Sequence, residues 1–213
     1  MADSDLRELE RRYRETLQAI DHALWLEARV RAGLLSERAV ELAARLGAPG
    51  AQIARWGEVL PNLGPILDDL RVLEVQTQDA VADQRFEHAS VLRATGEALR
   101  APWEGRAPLP RPIGLWPEAL AEDFPESAQG IGLALARWFS EVKGGQVPGL
   151  RQLERRVLER GGFAPLEEVP GGLIRVLKRL ITSFGGEALG AAAYRAVAAE
   201  VVPWTLGPAV TEV

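Results

Sequence analysis

Apolar residues near the start of the chain fall at Leu6, Leu9, Tyr13, Leu17, Ile20 and Leu24, steps of three or four that average the period of an α-helix. The pattern predicts one long amphipathic helix, N-capped by Ser4 or Asp5 and running to about Arg31, with Asp21 and Glu27 on its outer face and Gly33 as its stop. Ser36 is placed to N-cap a second helix through Val40, Ala43 and Ala44, which Gly47 closes with Pro49 behind it. A short third helix carries Ile53, Trp56 and Leu60 to Pro61, and Pro65 suits the first position of a fourth through Leu70, Leu73 and Val81. After a polar corner at Asp83-Gln84, a fifth helix presents Phe86, Ala89, Leu92, Gly96 and Leu99. The fourth and fifth should fold back as an antiparallel hairpin over 65–100.

Residues 101–117 hold Pro at 102, 108, 110, 112 and 117, a density that forbids a helix and suits a stiff connector. Beyond it, Pro125 opens a helix through Ile131, Leu135 and Val142, and Pro148 and Gly161 bracket another. The segment from Pro170 to Phe184 reads as a helix with Lys178 and Arg179 in its last turns. An Ala-rich helix from about Glu187 to Val202 follows, ended by Pro203. No segment alternates with period two, so an all-α fold of about eight or nine helices is expected. The connector divides it into an N-terminal helical domain over 1–100 and a C-terminal one over 118–213.

Composition narrows the function. With 47% hydrophobic and 26% charged residues among 213, wholesale disorder is excluded. There is no Cys, hence no disulfide, thiolate nucleophile or thiolate metal site. The N-terminus MADSDLRELERRYRE is too charged for a signal peptide, and no apolar run approaches the ~20 residues of a membrane span, so a cytoplasmic protein is expected. The two histidines, His22 and His88, form no H-x-x-x-H or E-x-x-H pair and read as surface or cap residues. Glycine pairs sit where helices end, no phosphate-cradling loop or G-x-S-x-G elbow occurs, and the adjacent acids Glu122-Asp123 and Glu167-Glu168 point apart. No catalytic residue, cofactor or metal is therefore expected.

Two stretches carry resemblances. Around Arg31, Ala32, Gly33 and Leu35, followed by Leu42, Ala43, Ala44, Leu46 and Gly47, the chain resembles a helix-turn-helix-turn module of uncharacterised bacterial helical proteins, which implies a packing unit and no activity. In QDAVADQRFEHASVLRATGEALR, the residues Phe86, Glu87, Ala89, Leu92, Arg93 and Leu99 resemble the UVR motif, the helical hairpin of the UvrB and UvrC repair subunits and of the middle domain of ClpC-type ATPases. Ser90, Ala94 and Gly96 depart from its Ala, Asp and Ile. The resemblance implies protein recognition, with a Clp-type ATPase or a repair subunit as partner. On physical grounds Phe86 and Leu92 would pack the hairpin, Ala89 would let its helices approach, and Glu87 and Arg93 would select the partner by charge.

The expected function is a non-enzymatic adaptor or regulator acting through protein-protein contacts or self-association. One alternative is a nucleic-acid-associated protein linked to DNA repair, using Arg7, Arg11, Arg12 and Arg14 as a phosphate-facing strip, although a net charge of −5 opposes it. Another is an enzyme whose pocket lies between helices and leaves no mark in sequence.

Overall fold

The computed structural model describes residues 2–106 and 191–207, with positions 123–124, 130–131, 133–134, 137, 155 and 159 between them. The fold is all-α: among the described residues there are seven α-helices, one 3₁₀ turn and no strand. The chain forms two compact units, Met1–Leu60 with Val197–Val213, and Pro61–Ala196. Most of the helices expected between Pro125 and Phe184, and residues 107–117 of the connector, lie outside the described residues, although Gly130, Ile131, Leu133, Ala134 and Arg137 are helical.

The first unit contains α1 (Ala2–Thr16), α2 (Ala19–Arg31), α3 (Glu37–Arg45) and α4 (Pro49–Trp56). The single long helix expected here is instead two, broken at Leu17 and Gln18, with Leu17 in the left-handed region at φ +53°. Its cause is a buried carboxylate. Asp21 is 2% exposed; its Oδ2 accepts from Thr16 Oγ1 at 2.6 Å, and its Oδ1 lies 2.7 Å from Arg12 Nε. Thr16 and Arg12 belong to α1 and Asp21 to the first turn of α2, so the acid secures two otherwise separate partners only if the chain turns between them. The turn also resets the helical phase. Asp21, expected outside, is core, while Leu17 and Ile20, expected inside, are 66% and 48% exposed.

The other ends in this unit follow local chemistry. Gly33 sits at φ +70° with its N–H on Val30 O and the next N–H on Arg29 O, the double bond that closes a helix through a left-handed residue. Ser36 Oγ accepts from Ala39 N at 3.1 Å as the N-cap of α3. The helix α4 stops at Trp56 rather than reaching Leu60, because Gly57 turns left-handed after it. Buried Gln52 joins the pieces, its Nε2 donating to Ala44 O at 3.2 Å and its Oε1 accepting from Leu60 N at 3.1 Å. The core gathers Tyr13, Trp25, Leu26, Val40, Ala43, Ala44, Ala51 and Leu206.

Leu206 belongs to α7 (Ala191–Leu206), in which Pro203 is interior and not the stop expected for it. Proline removes only one N–H, and the end of the helix is secured otherwise: Thr205 Oγ1 donates to Val201 O at 2.7 Å, Arg29 Nη1 donates to Leu206 O, and Gly207 at φ +89° donates to Pro203 O. A guanidinium on the last carbonyl also suits the negative end of the helix dipole.

The second unit contains α5 (Leu63–Ala82), α6 (Phe86–Arg100) and a 3₁₀ turn, Ala101–Trp103, that buries Trp103 completely. The N-cap of α5 is Asn62, whose Oδ1 accepts from Gly64 N at 2.9 Å, so the helix begins two residues before Pro65.

Candidate functional site

The hairpin of α5 and α6 is built on one narrow seam. Along α5 the buried positions are Leu63, Ile66, Leu67, Leu70 and Ala80, and along α6 they are Ala89, Leu92 and Gly96. This three-and-four spacing is the signature of two helices sharing one stripe. Close approach at the tip comes from Ala80 and Ala89, which cluster with Leu92 and half-buried Leu73. The corner is closed by Gln84 at φ +58°, with Arg85 N donating to Ala80 O at 2.7 Å and Gln84 N to Val81 O at 3.0 Å.

Of the residues singled out in the motif, Ala89 is 2% and Leu92 9% exposed, as their packing roles require. Leu99 is half-buried, and Glu87 and Arg93 are exposed. Phe86 departs from expectation. As the first residue of α6 it does not pack the hairpin but stands 65% exposed. Val72, Val75, Val81 and Val91 are exposed as well. Between them runs a groove of about 300 Å³, floored by Leu70, Leu73, Leu92 and Gly96 and edged by Glu74, Gln78, Arg93, Glu97 and Arg100. Gly96, where the motif carries an isoleucine, is part of that floor, and an added Cβ would meet Leu70 Cδ2 at 3.7 Å.

Three arginines of the α1 strip are engaged by carboxylates, Arg11 and Arg14 within α1 and Arg12 across to α2. Arg11 binds Glu8 through Nε at 3.1 Å and Nη2 at 2.7 Å and reaches Glu15 at 3.6 Å; Arg14 pairs with Glu10 at 2.7 Å, and Arg12 with Asp21. The carboxyl of Glu8 is held below its ordinary range by its hydrogen bonds from Arg11 and by that charge. Arg7, also exposed, is on the same helix. Such i,i+3 and i,i+4 pairs cancel the field that a phosphate backbone would feel.

A second cluster lies in the first unit, where sequence reading placed only a surface histidine. His22 is 5% exposed. Its ring stacks on Tyr13 at 4.3 Å between centroids and 8° between planes, Trp25 lies 5.9 Å from both, and Arg29 Cζ sits 4.8 Å from the Trp25 ring. On the other side is Gly50, where a Cβ would come within 2.5 Å of His22 Nδ1, so α4 can approach α2 only with glycine there. Burial, aided by the Arg29 charge, pushes the imidazole down to about 4, leaving a neutral ring at neutral pH. Neither His22 Nε2 nor Trp25 Nε1 has a hydrogen-bond partner among the described residues. The i,i+3 and i,i+4 relation of His22 to Trp25 and Leu26 was the available signal, hidden because the helical phase was carried through Leu17 unbroken.

Among the described residues no group of three His, Asp or Glu side chains is arranged to hold a metal ion. No helix there is long and apolar enough to cross a membrane. The chain matches no protein-family model, no curated protein and no solved structure. The likeness of the hairpin to the UVR motif therefore rests on its own residues.

Proposed function

We propose that this chain is an adaptor or regulatory protein that works in the cytoplasm by protein-protein contact, with the α5–α6 hairpin as its recognition surface. The observation that carries this reading is Phe86, a large apolar side chain 65% exposed at the tip of the hairpin, whose two helices also form a groove edged by charges of both signs. Exposed aromatics in a charged surround are what protein interfaces use as anchors. Paired arginines on α1 favour this reading over a phosphate-binding strip.

The UVR likeness implies a Clp-type ATPase or a repair subunit, and these are the baits to use. Wild type should be recovered on one of them, and Phe86→Ala or Arg93→Glu should reduce recovery at least about tenfold, as losing an interface anchor does. Both residues are exposed, so circular dichroism should be unchanged. Equal recovery of wild type and both variants would contradict the proposal.

A further inference from the structure

Residues 1–31 contain no glycine or proline, and Leu6, Leu9, Tyr13, Leu17, Ile20 and Leu24 form one helical stripe. Local preference therefore favours a single helix, yet the chain breaks it, and at a residue that resists the break. Leu17 is left-handed at φ +53°, a region that its Cβ disfavours; five of the seven left-handed residues described are glycines. The break also leaves Leu17 66% and Ile20 48% exposed.

What holds the joint bent is a set of bonds that a straight helix could not make. Asp21 Oδ2 accepts from Thr16 Oγ1 at 2.6 Å and Asp21 Oδ1 pairs with Arg12 Nε at 2.7 Å, while Thr16 Oγ1 accepts from Gln18 N at 3.2 Å. In one continuous helix Arg12 and Asp21 would stand about 13.5 Å apart along the axis and on opposite faces of it. Pairing at Asp21 and the straight helix exclude one another, which makes the joint two-state. Nor is α1 deeply held: Tyr13 is its one buried residue among those described, whereas α2 has five and α3 four.

We propose that α1 is a latched arm: Asp21, through Arg12 and Thr16, keeps it folded back on α2, and loss of that grip lets residues 2–31 join into one straight helix. Straightening returns Leu17 and Ile20 to the stripe of Leu6, Leu9, Tyr13 and Leu24 and relieves the left-handed leucine. It also uncovers His22 and Trp25, on which Tyr13 stacks, so the folded-back form is the resting one. The joint lies in the first unit and does not depend on the hairpin as a recognition surface.

The test is a distance across the joint. Tyr13 lies beside His22 and Trp25, and the charge of Glu10 acts on Arg29, so α1 runs back along α2. Exposed Glu8 and Arg31 then lie side by side, on helices about 10 Å apart. In a straight helix the same two positions are separated by about 35 Å. The chain has no cysteine, so Glu8→Cys with Arg31→Cys takes one nitroxide at each site, and pulsed electron resonance on the full chain reads the separation. With the latch intact only the short distance should appear. Asp21→Ala and, separately, Arg12→Glu should each add a peak at about 35 Å that holds about a tenth or more of the molecules. Adding Leu17→Gly should shrink that peak severalfold, because glycine suits the left-handed turn and weakens the helix there. Arg12 is 57% exposed, so Arg12→Glu spares the core and decides the outcome if Asp21→Ala does not fold by circular dichroism. The short distance alone in the folded variants would overturn the inference. So would a broad spread without a long peak, or a long peak unchanged by Leu17→Gly, since α1 would then detach without joining α2.

Discussion

His22 is the residue whose environment most constrains behaviour. Its folded-state value of about 4 lies below the ordinary 6.5, so between these values the unfolded chain binds a proton that the folded chain refuses. The contribution is fully present above pH 6.5 and is lost as pH falls towards 4, about 3 kcal/mol in all at 1.36 kcal/mol per unit. Chemical denaturation followed by Trp25 fluorescence should show the first unit weakening through that window, and His22→Gln should flatten the dependence. An equally steep pH profile in His22→Gln would remove this residue from the explanation. The carboxyls of Glu8 and Glu41, depressed from 4.5, act lower, as pH falls below their ordinary range. At Glu41 burial alone would raise the value, and the hydrogen bonds and charges of Arg55 and Arg45 outweigh it.

At the scale of elements, what could be read from sequence was what local chemistry decides. Ser36 as a cap and Gly33 and Gly47 as stops are each set by one or two residues, and each is found where the pattern places it. The break at Leu17 has no such mark, because its reason is Asp21, a carboxylate whose partners are supplied by tertiary packing. Phe86 was misplaced for a related reason: its spacing fits the hairpin seam, but Ala80 and Ala89 already close the tip. The departure at Gly96 leaves the helix intact and hollows the groove. Gly96→Ala should therefore stabilise the hairpin unit by about 0.5–1 kcal/mol through helix propensity, since its Cβ would meet only Leu70 at 3.7 Å and Arg100 at 3.9 Å. A fall in the thermal midpoint of that unit would show that the floor has no room even for a methyl group.

For the whole molecule, the all-α class was legible because helical periodicity and its punctuation repeat along the entire chain, whereas the joining of distant segments was not. Leu206, fully buried in the core of the first unit, is separated from its neighbours by nearly the length of the chain, and Pro203 masks the continuation of its helix. Leu206→Ala should cost that unit about 2–5 kcal/mol as a core cavity, read in the denaturation midpoint seen by Trp25; a change below ~1 kcal/mol would mean the last helix is dispensable there. The surface proposed for recognition lies in the other unit, and a photo-crosslinking side chain tests it most directly. Placed at Phe86 in cells and compared with Val59 of the first unit, itself 50% exposed, it should capture one discrete protein from position 86 and none from position 59. Capture from Val59 with none from Phe86 would contradict the hairpin as the recognition surface.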